Sequence, residues 1–149
     1  MRAVVQRVLQ AHVKVTSRSV AEIEEGLLVY ISVARNDSPN DTQFMADKLV
    51  NLRIFPDQAG KMNRSIVDVG GAILLVSNFT LHGDCRKGRR PSFDNAAQPE
   101  LAKKLYEHLA ELIAEHGISI EKGIFREHMH VHSINDGPVN FLLDSSRLF

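Results

Sequence analysis

Two short apolar runs constrain the fold of this chain more than any other feature. Residues 27–33 and 72–76 are almost continuously hydrophobic, yet each run is too short to form a buried helix. Runs of this kind are typical of strands that are covered on both faces. The chain has 149 residues, 44% of them hydrophobic, which is enough apolar mass for a core. We therefore expect a single domain over residues 1–149.

Weaker patterns predict the other elements. Pro39, after a Ser38 cap, and Pro99 each precede apolar residues at helical spacing and indicate two helices. Further strands, two of them forming a hairpin, are predicted at residues 2–9, 12–16, 20–24, 118–121 and 128–140. We assign no structure to the tail at 141–149. The fold class is α+β, with a mostly antiparallel sheet and two main helices.

Charge and cysteine content exclude several classes of protein. The 18 basic and 18 acidic residues cancel, so any contact with nucleic acid must depend on a local patch. Cys85 is the single cysteine, which excludes an internal disulfide framework. Charge interrupts the N-terminal residues too early for a secretory signal, and no apolar run approaches membrane-spanning length. We expect a cytoplasmic protein without a membrane segment.

Polar residues follow the second apolar run directly. Backbone N–H groups at the end of a strand can form an oxyanion hole, and the hydroxyls of Ser77 and Thr80 can place water or substrate. The pattern is weak by itself, because strands commonly end in serine, asparagine and threonine. Cys85 lies beside the cations Arg86 and Lys87 and could be a nucleophile, but no base is fixed near it, so an incidental loop cysteine is favoured.

Residues 82–98 form a long polar segment that contains the only dense basic run of the chain. This run consists of Arg86, Lys87, Arg89 and Arg90 around Gly88. It is either a solvated loop or a set of contacts to RNA phosphates, and the sequence leaves both open. The chain has no tryptophan and no aromatic ladder, which argues against a platform for stacking single-stranded bases.

Three histidines, His128, His130 and His132, alternate along a predicted strand and so share one face. Two histidines at this spacing can bind zinc, which makes a metal hydrolase one hypothesis. No cluster of cysteines or carboxylates elsewhere completes a site, and we predict neither a metal nor a cofactor.

A Gly137-Pro138 step interrupts the last predicted strand. Proline donates no N–H to a sheet, glycine accepts positive φ, and an X-Pro bond can be cis. If the bond is cis, its two carbonyls can be held nearly parallel and suit a positively charged amine. The residues alone favour an ordinary trans turn.

The combination of motifs resembles the D-aminoacyl-tRNA deacylase family over nearly the whole chain. The segments that carry the resemblance are 6–8 (Gln-Arg-Val), 26–29 (Gly-Leu-Leu-Val), 53–55 (Arg-Ile-Phe), 60–63 (Gly-Lys-Met-Asn), 77–81 (Ser-Asn-Phe-Thr-Leu), 90–93 (Arg-Pro-Ser-Phe) and 135–139 (Asn-Asp-Gly-Pro-Val). Their order and spacing are far more specific than any one segment.

The resemblance implies a homodimer with a barrel-like core and active sites at the subunit interface. Gly137 and Pro138, joined by a cis bond and braced by Arg7, would reach into the partner's active site and hold the α-amino group of the substrate. An L residue would be excluded because its Cβ meets the motif, whereas D residues and glycine are accepted. The implied reaction releases a D-amino acid from tRNA, or glycine mischarged on tRNA-Ala.

The resemblance also assigns the chemistry. Phe79 and Thr80 would supply backbone donors around the scissile ester, and Met129 would line the terminal adenosine. Thr80 is a possible nucleophile, but no adjacent residue is an evident base, so we favour attack by water with help from the 2′-OH of the terminal ribose.

Two residues depart from the family pattern, and they put substrate preference in question. Asn78 replaces a usual glutamine and Asn140 a usual threonine. The alternatives are a related branch with a trans Gly-Pro that edits L-alanyl-tRNA, and a nucleic-acid-binding module that hydrolyses nothing.

Overall fold

The computed structural model describes residues 1–148, which form a six-stranded mixed sheet, a separate two-stranded sheet (Phe55–Pro56 with Met62–Arg64) and helices. The strands are β1 (Arg2–Val15), β2 (Arg18–Ile23), β3 (Gly26–Ser32), β4 (Phe55–Pro56), β5 (Met62–Arg64), β6 (Ala72–Ser77), β7 (Ser119–Lys122) and β8 (Met129–Asp144). The helices are α1 (Pro39–Asn51), α2 (Ile66–Val69) and α3 (Pro99–Glu115), and a 3₁₀ turn, Phe79–His82, follows β6. We call this last element the 79–82 turn.

The long strand β1 organises the sheet. It pairs antiparallel with β3 through its first half, with β2 through its second half, and with β8 along most of its length. Beyond β3 the sheet continues in parallel through β6 and β7, and β2 approaches β6 and β7, so that the sheet is nearly closed. The predicted α+β class, with a barrel-like sheet and two main helices, is confirmed.

The two apolar runs are the central strands, and both of their faces are buried. Leu27 and Val29 of β3 face the core beneath the helices, whereas Leu28 joins a second core with Val8 and Ile23 inside the curved sheet. The parallel neighbours approach closely at Gly26, where an added Cβ would lie 1.9 Å from the carbonyl oxygen of Ala72. Only glycine fits at this contact.

Three boundaries differ from the sequence prediction. The segments at 2–9 and 12–16 belong to one strand, because a bulge at Leu9 lets β1 continue without a break. Strand β8 continues to Asp144, into the segment for which the sequence predicts no structure. The short helix α2 is not predicted from the sequence at all, and it begins at a capping box between Ser65 and Asp68.

No helix among residues 1–148 is both long enough and apolar enough to cross a membrane.

Candidate active site

A cavity of about 620 Å³ opens at the carboxyl ends of the parallel strands β3 and β6. These strand ends contribute Ser32 and Ser77, and helix α3 contributes Ala102 and Tyr106. Such an edge is a common place for ligands in parallel sheets, because side chains that follow neighbouring strands converge there. The cavity is the best candidate for a substrate pocket among the described residues.

Tyr106 forms the buried end of this cavity. Its hydroxyl donates to the carbonyl oxygen of Leu75, at 2.9 Å, and its ring packs against Phe125. Burial raises the pKa of Tyr106 well above its ordinary value, so the phenol stays protonated and keeps this hydrogen bond. A fixed, uncharged ring therefore closes the inner end of the pocket.

The 79–82 turn forms one rim of the cavity. The N–H of Asn78 donates to the carbonyl oxygen of Ile31, at 2.8 Å, which ties the start of the turn to β3. The side-chain oxygen of Asn78 accepts from the N–H of Thr80 at 3.2 Å and also from the Thr80 hydroxyl. Asn78 is thus the N-terminal cap of the turn, and its short side chain folds back onto its own backbone.

Thr80 and Phe79 take different positions on this turn. Phe79 lines the cavity, is 58% exposed, and meets Phe93 edge to face with 5.0 Å between ring centroids. Thr80 is not among the lining residues, and its hydroxyl donates to an amide oxygen, which is no base. Phe79 is also the first residue of the turn, where an N–H has no partner within the helix.

Met129 and His128 lie on the opposite side of the cavity, at the start of β8. The thioether of Met129 fits against Gly123, where an added Cβ would be 2.7 Å from the sulfur. The structure brings Ser77, Asn78, Phe79 and Met129 together around one pocket.

The Gly137-Pro138 step lies elsewhere, on a bulge within β8 that we call the Gly137-Pro138 loop. On β8, the four residues 136–139 lie between Asn135 and Asn140, which pair with Val8 and Gln6 of β1. Only one residue of β1, Arg7, lies between these two partners, so β8 bulges outward there. The peptide bond between Gly137 and Pro138 is cis, and both residues are exposed. Neither residue lines the cavity of its own chain.

Two side chains fix the base of this loop. Asn135 donates from its amide to the carbonyl oxygens of Arg7 and Val139, at 2.8 and 3.2 Å, and so closes the loop. The Arg7 guanidinium donates to the carbonyl oxygen of Ile54 at 2.6 Å, and its Nε lies 2.8 Å from an Asp136 carboxylate oxygen without pointing at it. Arg7 is thus a largely buried side chain that lies under the loop and contacts both Ile54 and Asp136.

The basic run lies at the tip of a small loop closed by backbone hydrogen bonds between Asp84 and Ser92. Arg86 pairs with Asp84, which holds the pKa of that carboxyl well below its usual range. The other three cations of the run are fully exposed and form no ion pair within residues 1–148: Lys87, Arg89 and Arg90.

The three alternating histidines do not gather around a ligand position. His132 stacks on His12 with ring centroids 4.5 Å apart, and His128 and His130 meet edge to face. The described part of the chain contains no group of three or more side chains arranged to hold a metal ion. The metal-hydrolase hypothesis therefore has no geometric support.

The relatives of the chain decide its family. The D-Tyr-tRNA(Tyr) deacylase family model matches residues 4–144. The chain belongs to this family. Proteins named D-aminoacyl-tRNA deacylase from Thermotoga petrophila and Clostridioides difficile are 55% and 52% identical over 149 residues, and each match covers 100% of both chains. The predictions of the family and of a hydrolase are confirmed.

Solved structures agree with this family and fold. The protein named c-Myc DNA Unwinding Element Binding Protein has a TM-score of 0.91 at 36% identity, covering 97% of this chain and 98% of that one. A probable eukaryotic D-amino acid tRNA deacylase, at 16% identity, has a TM-score of 0.83 and covers 95% and 97%. The second likeness shows a shared fold alone.

Sequence reasoning missed the part of the candidate pocket that comes from distant segments. Tyr106 belongs to an apolar helix stripe and is indistinguishable by spacing from its core neighbours. Ser32 ends a buried strand, and its contact with His82 joins residues that are 50 positions apart. No local signal marks such pairs, because they meet only when the sheet forms.

Proposed function

We propose that this chain hydrolyses the ester between a D-amino acid, or glycine, and the 3′ end of tRNA. One observation carries the proposal beyond the family assignment. The cavity has a polar strand-end rim, whereas the Gly137-Pro138 step is exposed on a braced loop outside that cavity. A recognition element that cannot serve its own pocket suits a second copy of the same chain.

The active form in this proposal is a homodimer in the cytoplasm. Each Gly137-Pro138 step enters the cavity of the partner subunit, and the two backbone carbonyls accept hydrogen bonds from the substrate's α-ammonium group. The bracing by Arg7 and Asn135 supports this role, because a recognition element must be rigid to discriminate by shape.

Chirality is read by exclusion. A D residue directs its side chain into the cavity, and glycine has none, whereas the Cβ of an L residue meets the backbone of the inserted step. Asn140, whose side-chain oxygen accepts from Gln6 at 2.9 Å, lies beside this step and is exposed. Its replacement of the family's usual threonine is therefore placed to affect preference rather than reaction class.

For the chemical step we assign backbone positioning to Phe79 and no covalent role to Thr80. Water attacks the ester carbonyl carbon, the bond to the 3′ oxygen of the ribose breaks, and that oxygen leaves with a proton. The 2′-OH of the ribose guides the transfer, and the N–H of Phe79 stabilises the oxyanion. Thr80 supports the turn, since its N–H and its hydroxyl are already held by Asn78.

The rest of the substrate contacts two further regions. Met129, on the far side of the cavity, packs against the terminal adenosine. Lys87, Arg89 and Arg90 reach phosphates of the tRNA, and Arg86 contributes less because its charge is paired with Asp84. Neither contact reads sequence, which fits an enzyme that must act on many tRNAs.

The proposal is tested by deacylation of matched substrates with EDTA present. We expect rapid release from D-tyrosyl-tRNA, measurable release from glycyl-tRNA-Ala, and release from L-tyrosyl-tRNA at the spontaneous rate. Preferential release from L-alanyl-tRNA would assign the chain to the L-editing alternative. Activity that EDTA abolishes would contradict the metal-free mechanism.

A nucleic-acid-binding role without hydrolysis is the second candidate. It is favoured by the exposed basic loop and by the likeness to a solved protein named for DNA binding. Saturable tRNA binding with no turnover of D-tyrosyl-tRNA would support it, and catalytic turnover would exclude it as the main function.

A further inference from the structure

A buried serine–histidine pair forms the wall between two cavities. Ser32, the last residue of β3, is 2% exposed and lines the candidate substrate pocket. His82, the last residue of the 79–82 turn, is 7% exposed and lines a second cavity of about 700 Å³ on the other side. The Ser32 Oγ and the His82 Nδ1 lie 2.6 Å apart.

The same serine contacts the backbone of the proposed catalytic turn. Its Oγ lies 3.4 Å from the carbonyl oxygen of Phe79, toward which the hydroxyl donates. This carbonyl belongs to the peptide group whose N–H is that of Thr80. When the Nδ1 of His82 carries a hydrogen and donates to Ser32, the serine hydrogen is available for Phe79. The two residues then form a chain that ends on the turn.

The surroundings keep the imidazole uncharged. Burial lowers the pKa of His82 below its ordinary value, and the charge of Arg2 lowers it further. The carboxylates of Asp37 and Asp144 oppose this effect only in part. A neutral imidazole carries its single ring hydrogen on one nitrogen, and the tautomer with this hydrogen on Nδ1 is the one that donates to Ser32.

We propose that Ser32 and His82 are positioning residues for deacylation, which hold the Phe79–Thr80 peptide at the rim of the substrate pocket. The inference rests on the proposed function, because it assigns the chemistry to this turn. Neither residue touches the reacting atoms. Their loss should therefore lower kcat without weakening the binding of tRNA.

The test compares variants of the full-length protein on D-tyrosyl-tRNA at neutral pH. Ser32→Ala and His82→Leu should each lower kcat about five- to tenfold and leave KM within about twofold, the effect of one lost buried hydrogen bond on a transition state. His82→Asn should restore kcat to within about twofold of the native value, because its amide can replace the Nδ1 in either role.

Two controls separate positioning from simple packing. Thr42→Val removes a different fully buried hydroxyl. Thr42 lies in α1 and its hydroxyl donates to the carbonyl oxygen of Ser38, the cap residue of that helix, so this variant should leave kcat unchanged. Thermal unfolding of every variant shows which ones are folded; if Ser32→Ala does not fold, the two His82 variants carry the test. Full kcat in the folded variants, or no rescue by His82→Asn, would overturn the proposal.

Failure of the inference and failure of the proposed function give different results. Ala102→Trp places an indole in the pocket from helix α3 and should abolish activity if the pocket is the active site. If the Ser32 and His82 variants are fully active while Ala102→Trp is inactive, the inference about positioning is overturned and the proposed site stands. An active, folded Ala102→Trp would overturn the proposed site and the inference with it.

Discussion

The 79–82 turn and the Gly137-Pro138 loop both interrupt the sheet with polar residues, but they are built differently. The turn lies at the carboxyl edge of parallel strands, and its capping and backbone contacts face a pocket of its own chain. The loop bulges from the antiparallel pair of β1 and β8 and exposes Gly137 and Pro138, neither of which lines the candidate pocket. Under the proposed function the two regions have different roles: the turn takes part in the chemistry, and the loop recognises the amine.

The brace under the loop gives the largest expected effect of a single side chain in the comparison. Arg7→Ala removes both the bond to Ile54 and the ion pair with Asp136, and we expect about a hundredfold loss of kcat/KM on D-tyrosyl-tRNA because the loop is displaced. Arg7→Lys keeps the charge, but a lysine cannot contact Ile54 and Asp136 at the same time as the guanidinium does. We expect this variant to lose about tenfold in kcat/KM.

The exposed Arg18 of β2 provides the control for this prediction, and Arg18→Ala should behave like the native protein. Native activity in a folded Arg7→Ala would show that the loop needs no brace.

The turn should be more sensitive to its cap than to its hydroxyl. Asn78→Ala removes the acceptor for Thr80 and should lower kcat about five- to tenfold, with about 1 kcal/mol lost in the free energy of unfolding. Thr80→Val should lower kcat less than about threefold, because the proposed mechanism gives its hydroxyl no covalent role. Single-turnover rates of deacylation of D-tyrosyl-tRNA measure the effect of both substitutions on the chemical step. A loss of about a thousandfold or more in Thr80→Val would instead assign covalent catalysis to Thr80.

The basic loop should affect substrate binding and leave chemistry untouched. Replacing Lys87, Arg89 and Arg90 together by glutamine should raise KM about fivefold at low salt, with the difference shrinking as salt increases. Arg86→Gln alone should have a smaller effect, because its charge is already paired with Asp84. Unchanged KM and salt dependence in the triple variant would leave the loop without a role in tRNA binding.

Sequence patterns were sufficient for the parts of the fold that local physics determines. The central strands follow from continuous apolar runs, and the starts of α1 and α3 follow from their prolines. The bulge at Leu9 and the extension of β8 to Asp144 were missed, because both depend on the pairing of strands far apart in the chain. The capping box at Ser65 was a visible signal for α2 that the prediction did not use.

The candidate site likewise has features that follow from sequence motifs and features that depend on the folded structure. Ser77, Asn78, Phe79 and Met129 line one pocket, whereas Thr80 does not, and Arg7 lies under the Gly137-Pro138 loop. The folding of Asn78 onto Thr80 and the contact between Ser32 and His82 depend on side-chain geometry that spacing does not encode. Gly137 shows the same limit. An added Cβ there would lie 2.6 Å from a Val139 methyl, with φ at +122°, so Gly137→Ala disturbs the loop as well as the substrate.

A hybrid dimer tests the division between the two regions most directly. One subunit carries Ala102→Trp, which blocks its pocket, and the other carries Gly137→Ala, which disables its loop. Different affinity tags allow the hybrid to be purified. If the loop of each subunit serves the pocket of the other, the hybrid has one intact site and should deacylate D-tyrosyl-tRNA at about half the native rate, although both parent homodimers are inactive. A stable hybrid that is as inactive as its parents would contradict the account.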